Sequence, residues 1–237
     1  MAPPPYKLYT FPGSLFAFAP LVVSEYAGVA VEIINNDSTT IAHLKQLSPT
    51  GKAPVLETPK GEILFSSLAI ARFLANLRKD IDLLGKNSND SYSSLRNAVA
   101  IEDWTNWAAQ DLELPVCLSY YMVTKCIKFD KTKFAKAKND MSSALGVLEA
   151  HLGKGGGGET NDNARINLVL DEQVTLADIV VLCYLVYPFT LIFEVDELED
   201  KFPNVRRWFS NCMQQEEFVS VLGIIQCGKT KGDNPKF

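Results

Sequence analysis

The chain has 237 residues, 47% of them hydrophobic and 22% charged, so it can bury apolar cores without help from disulfides; a disordered polypeptide is excluded, and two small domains are favoured over one large one. A net charge of −5 at pH 7 denies it the broad positive field that nucleic-acid phosphates or anionic lipid surfaces attract, so neither direct DNA binding nor membrane attachment is expected. Five cysteines without a CxxC pair read as reduced thiols of a cytoplasmic protein, and two histidines, His43 and His151, provide no metal cluster and little for a Ser-His-Asp triad; both read as surface residues.

The first eighty residues alternate between strand and helix periodicity, the pattern of an α/β layer structure. Residues 6–11 are a β-rich run ended by Pro12-Gly13, and Ser14 opens a helix that closes near Gly28. The apolar run at 15–23 resembles a signal sequence only faintly, because Pro20 interrupts it and Lys7 alone supplies positive charge before it. Residues 29–34 read as the next strand, the Asn35-Asn36-Asp37-Ser38 cluster as a turn, and Ile41, Leu44 and Leu47 predict a short helix stopped by Pro49 and Gly51. Residues 55–58 and 62–65 flank Pro59-Lys60-Gly61 as a hairpin, after which Ile70, Phe73, Leu74 and Leu77 share one helical face. The order is β-α-β-α-β-β-α.

Residues 79–92 are polar and mark a boundary between a first domain at 1–80 and a second at 91–225. Beyond it Ala100, Trp104, Trp107 and Ala108, then Phe134, Ala137, Met141, Leu145, Leu148 and Leu152, recur at helical spacing and predict a helix bundle. Residues 153–163 include four consecutive glycines and read as a mobile loop; with no GK[ST] after them they are no phosphate-binding loop. Thr175-Leu176-Ala177-Asp178 is a structural capping box, and residues 179–193, too short to span a bilayer, predict one buried core helix. The lysines from 125 to 138 favour a solvated helix face over a site for acidic partners.

Gly51-Lys52-Ala53-Pro54-Val55-Leu56 resembles the glutathione-transferase element in which a cis proline presents a backbone edge to the cysteinyl part of glutathione. The local sequence suits cis and trans equally, and it is the resemblance that implies cis. Phe65-Ser66-Ser67-Leu68-Ala69-Ile70 resembles the family's helix start, whose free N–H groups suit the γ-glutamyl carboxylate. Ser66 stands where an acidic or amide side chain is usual, which implies a weaker site. Tyr9-Thr10-Phe11-Pro12-Gly13-Ser14 resembles the start of serine-type transferases, where a hydroxyl donates to the glutathione sulfur and favours thiolate; Ser14 reads equally as a helix N-cap. The resemblance thus implies a thioredoxin-like α/β domain followed by an all-helical domain. It also implies a glutathione site of Lys52, Ala53, Pro54, Ser66 and Ser67, with Ser14 as candidate catalytic residue.

Residues 174–183, 202–209 and 217–223 resemble the gamma subunits of eukaryotic translation elongation factor 1B, Trp208-Phe209 being the most specific part. That resemblance implies a scaffold module that holds the guanine-nucleotide exchange subunit, allows a homodimer, calls for no cofactor, and keeps glutathione as a candidate ligand. A catalytic transferase conjugating electrophiles, and the docking module of a tRNA-synthetase assembly, are the other readings. Members of that family carry a charged linker and a further domain, whereas the sequence in hand stops at Asn234-Pro235-Lys236-Phe237.

Overall fold

The computed structural model describes residues 5–35, 40–78, 80–87, 90–154, 164–225 and 227–229. The predicted turn at 36–38, the glycine-rich stretch at 155–163 and the last residues, 230–237, lie outside the described residues. Strands β1 (Tyr6–Thr10), β2 (Val31–Asn35), β3 (Val55–Glu57) and β4 (Ile63–Phe65) form one sheet in the order β2-β1-β3-β4. β1 pairs in parallel with β2 across the helix α1 (Leu15–Ala27), and β3 is antiparallel to both β1 and β4. Helices α2 (Thr40–Leu47) and α3 (Ser67–Ala75) complete the expected order.

Strand alternation divides β1 between two faces: Leu8 enters the main core, while Tyr9 joins Leu44 and Val55 on the other side. β2 begins two residues later than its apolar run because the Val29 N–H closes α1 on the Ser24 carbonyl at 3.0 Å, with Gly28 in the left-handed region at φ 61°. Asn76 ends α3 with its N–H on the Arg72 and Phe73 carbonyls, so Leu77 falls beyond the helix and is exposed, while Ile70 and Leu74 of the same predicted face are buried.

The remainder is helical: α4 (Ser91–Trp107), α5 (Glu113–Val123), α6 (Lys131–Gly153), α7 (Leu176–Tyr187), α8 (Val195–Lys201), α9 (Pro203–Cys212) and α10 (Glu216–Leu222). A π-helical turn at Ala108–Leu112 joins α4 to α5. The apolar run at 179–193 is buried, but it is not one helix. Proline lacks the N–H that would bond the Tyr184 carbonyl, so α7 stops at Tyr187 and a π-helical turn, Pro188–Ile192, follows.

Asp178 is wholly buried and accepts four hydrogen bonds. Its Oδ1 receives the Leu168 N–H at 2.8 Å and the Trp208 indole N–H at 2.9 Å. Its Oδ2 receives the Thr175 N–H at 2.9 Å and the Thr175 hydroxyl at 2.8 Å, within the expected capping box. Burial raises this carboxyl above its ordinary range, and the donated bonds oppose the shift.

His151 is half-buried rather than a plain surface residue: its ring lies 4.6 Å from that of Trp104, Nε2–H donates to the Leu168 carbonyl at 2.8 Å, and burial lowers its pKa. His43 is exposed, and all five cysteines are free thiols. The lysine cluster is partly neutralised, since Lys136 pairs with Asp140 at 2.7 Å and Lys138 with Glu197 at 2.6 Å. Among the described residues no helix is long and apolar enough to cross a membrane, and no group of three or more His, Cys, Asp or Glu could hold a metal ion.

A missing cap alone costs about 0.5–2 kcal/mol, but Asp178→Ala strands buried donors from three separate segments, each costing about 1–3 kcal/mol when unsatisfied. The variant is expected to lose about 3–5 kcal/mol in urea unfolding. A midpoint within error of the parent's would show that water replaces the carboxylate at no cost.

Candidate functional site

A cavity of about 610 Å³ opens between the sheet layer and the helical layer, within the range of about 300–1,000 Å³ common for small-molecule sites. Its first wall comes from α1 through Leu15, Phe16 and Ala19, from the segment before β3 through Thr50, Lys52, Ala53 and Pro54, and from 65–68 at the start of α3. The opposite wall is helical, with Thr105 and Ala109, Glu113 and Tyr121, then Val180, Cys183 and Tyr184.

The segment before β3 is shaped by its own hydroxyls. Ser48 Oγ and Thr50 Oγ1 lie 2.9 Å apart, and the Thr50 N–H and Lys52 N–H donate to Ser48 Oγ and Thr50 Oγ1, each at 3.3 Å. Gly51 turns the chain at φ 61°, where a Cβ would lie 2.8 Å from Lys45 Cγ, so glycine is required for both backbone and space. The Ala53–Pro54 peptide is cis, as the resemblance implied, and Pro54 is buried.

Ser66 stands at the N-cap position of α3 with φ 76°, a region L-residues rarely occupy, and its hydroxyl makes no capping bond. Its carbonyl accepts the Ile70 N–H at 3.0 Å, while the N–H groups of the first helical turn have no intrahelical partner and carry the positive end of the helix dipole. Ser66 and Ser67 both line the cavity there.

Ser14 sits just outside the wall. It precedes Leu15 and Phe16, which do line the cavity, and its N–H donates to the Phe11 carbonyl at 3.1 Å while its carbonyl accepts the Ala17 N–H at 2.9 Å. It occupies the N-cap position of α1, but its hydroxyl makes no capping bond. Beside it the Tyr187 hydroxyl donates to the Gly13 carbonyl, and the Tyr187 ring stacks 4.2 Å from that of Tyr120, which anchors the β1–α1 turn to the helical layer. Tyr9 and Tyr6 are not in the wall. The Tyr9 hydroxyl donates to Glu57 at 2.7 Å, and burial together with Glu57 pushes its pKa up to about 12, so it is no thiolate-stabilising donor in this cavity.

Sequence motifs did not single out Thr50, Thr105, Glu113, Tyr121 or Tyr184. Glu113 accepts the Tyr184 hydroxyl at 2.7 Å, and burial, reinforced by this carboxylate, raises the Tyr184 phenol. Burial and then Glu113 push the neighbouring Cys117 up to about 11, and burial also raises Cys183, so neither thiol stands ready as a nucleophile. The only local hint was Tyr184 itself, a hydroxyl inside an apolar run.

The family model of the glutathione S-transferase N-terminal domain matches residues 4–76, and that of the C-terminal domain matches residues 110–216. Elongation factor 1-gamma of Sus scrofa is 30% identical over 227 residues, covering 92% of this chain and 47% of that protein. The chain thus spans about half the length of the curated relatives it matches. Among solved structures, the GST-like domain of elongation factor 1-gamma from Saccharomyces cerevisiae superposes with a TM-score of 0.75 at 18% identity, covering 98% of this chain and 99% of that one. Glutathione S-transferase-I bound with lactoylglutathione superposes with a TM-score of 0.76 at 22% identity, covering 94% of this chain and all of that one. These two likenesses report the fold, a thioredoxin-like layer joined to a helical layer. With its N-terminal and C-terminal parts each matched by the corresponding domain, the chain belongs to the glutathione S-transferase family, and over nearly its whole length it is similar to elongation factor 1-gamma.

Proposed function

We propose that this chain is the transferase-like scaffold module of a translation elongation factor 1B gamma subunit, that it holds the guanine-nucleotide exchange subunit in the cytoplasm, and that its cavity retains a glutathione site. The similarity to elongation factor 1-gamma across 92% of the chain carries this reading. Residues 1–80 and 91–225 serve as its two domains. A scaffold needs a specific surface, and a standard interface buries about 1,600 Å² in total, which the outer helical faces can supply away from the cavity.

The geometry supports a peptide-thiol ligand in a definite orientation. The cis Ala53–Pro54 peptide supplies a backbone edge for the cysteinyl unit, and Lys52 at the rim supplies a cation for a carboxylate. The unpaired N–H groups at the start of α3, with Ser66 and Ser67, suit the γ-glutamyl carboxylate. Serine at 66 has no charge or amide to hold the ligand's ammonium, which supports weak binding rather than tight.

A catalytic transferase is a second reading, favoured by the Ser14 hydroxyl, which stands beside the cavity uncommitted to a capping bond. There it would donate to the ligand sulfur and hold it as thiolate.

Calorimetry is expected to show glutathione binding that Ser67→Ala weakens; equal affinity in the variant would remove the Ser67 hydroxyl from the site. If the chain is catalytic, conjugation of 1-chloro-2,4-dinitrobenzene should fall by about 100- to 1,000-fold in Ser14→Ala, as when one donor to developing charge is lost. Unchanged turnover would reduce Ser14 to a structural residue. Mixed with the exchange subunit, the chain should co-elute as a larger species in size-exclusion chromatography, with or without saturating glutathione, and the chain alone reports whether it is a homodimer. Separate elution at micromolar concentration would count against the scaffold reading.

A further inference from the structure

Glu113 is the anionic residue of the cavity wall, and its setting is not that of a structural ion pair. Its carboxylate accepts one hydrogen bond, from Tyr184, and among the described residues no lysine, arginine or histidine pairs with it. The wall around it is largely apolar, with Ala109, Val180 and Cys183 on the helical side and Phe16 and Leu68 facing from the other layer. The residue is half-buried in this wall, and the Tyr184 hydroxyl occupies one carboxylate oxygen and leaves the other without a protein donor among the described residues.

We propose that Glu113 is the counter-ion for an apolar ligand that carries a positive charge, a protonated aromatic or alkyl amine, bound in the helical half of the cavity. The apolar wall takes the ligand's body by burial, and the carboxylate takes its ammonium by a charge-assisted hydrogen bond. Lys52 and the positive end of α3 line the other half, so the cavity is divided by charge: anionic groups are favoured near Lys52, Ser66 and Ser67, and cationic ones near Glu113. This inference needs only the cavity. It stands or falls separately from the scaffold reading and from glutathione.

The test is binding of three matched probes to the full chain by calorimetry at neutral pH: 1-naphthylmethylamine, which is cationic, 1-naphthylmethanol, which is neutral, and 1-naphthoate, which is anionic. The amine should bind at least tenfold more tightly than either other probe, and Glu113→Gln should bring it down to the affinity of the alcohol while leaving the alcohol unchanged. Tyr184→Phe keeps the carboxylate and removes its internal donor, so there the preference for the amine should persist or grow, which decides the matter even if Glu113→Gln does not fold. Equal affinity for amine and alcohol in the parent chain, survival of the preference in folded Glu113→Gln, or its loss in Tyr184→Phe would each overturn the assignment.

Discussion

The Asp178 carboxylate, out of contact with solvent, receives N–H and O–H groups from the start of α7, from the strand-less segment at residue 168 and from Trp208 on α9. A buried carboxylate is costly unless its lone pairs are filled, and here each oxygen takes two donors, so the segments that supply them are bound to one arrangement. Much else follows from the position of α7. Val180, Cys183 and Tyr184 lie within two turns of Asp178 and form part of the cavity wall, and Tyr187 reaches the Gly13 carbonyl beside Ser14. The buried carboxylate therefore sets, through one helix, both a wall of the site and the turn that carries the candidate hydroxyl.

The opposite side of the cavity is fixed by different means. Residues 48–52 are held by a pair of hydroxyls and a glycine in the left-handed region, with no buried charge among the described residues, and the chain then enters the cis Ala53–Pro54 peptide. Ser66 adds a second unusual backbone conformation in the same wall, of the kind that costs about 1–3 kcal/mol and persists where surroundings impose it. These two departures from regular structure meet at the same opening. Beside them the N–H groups at the start of α3 have no intrahelical partner.

The scaffold and enzyme readings make different demands on this geometry. A scaffold requires rigid outer faces and tolerates an idle cavity, and the buried α7 with its capping box provides rigidity whatever the cavity holds. Catalysis requires in addition a hydroxyl aimed at the sulfur, and here Ser14 stands beside the wall rather than in it. Fold similarity does not choose between them, because the same layers carry both kinds of protein.

The sequence by itself determined the element order of the first eighty residues, the cis Ala53–Pro54 peptide through its resemblance, and the Thr175–Asp178 capping box. Each is encoded within a few consecutive residues, by proline and glycine dihedral limits, by side-chain capping or by the helical and strand periods. Its errors were of another kind. Residues 179–193 showed a continuous apolar pattern, yet Pro188 broke the helix; His151 looked like a surface residue, yet Trp104 and the Leu168 carbonyl hold it half-buried. Only the tertiary structure decided that Thr105, Glu113, Tyr121 and Tyr184 share a cavity with Lys52 and Ser66, and that Ser14 lies just outside it. Apart from Glu113 and Tyr121, which share α5, those residues come from different helices and loops, so nothing in the one-dimensional pattern links them as a set; they meet because two layers, each folded by local rules, pack around α7, and that packing is settled by contacts between residues far apart in the chain.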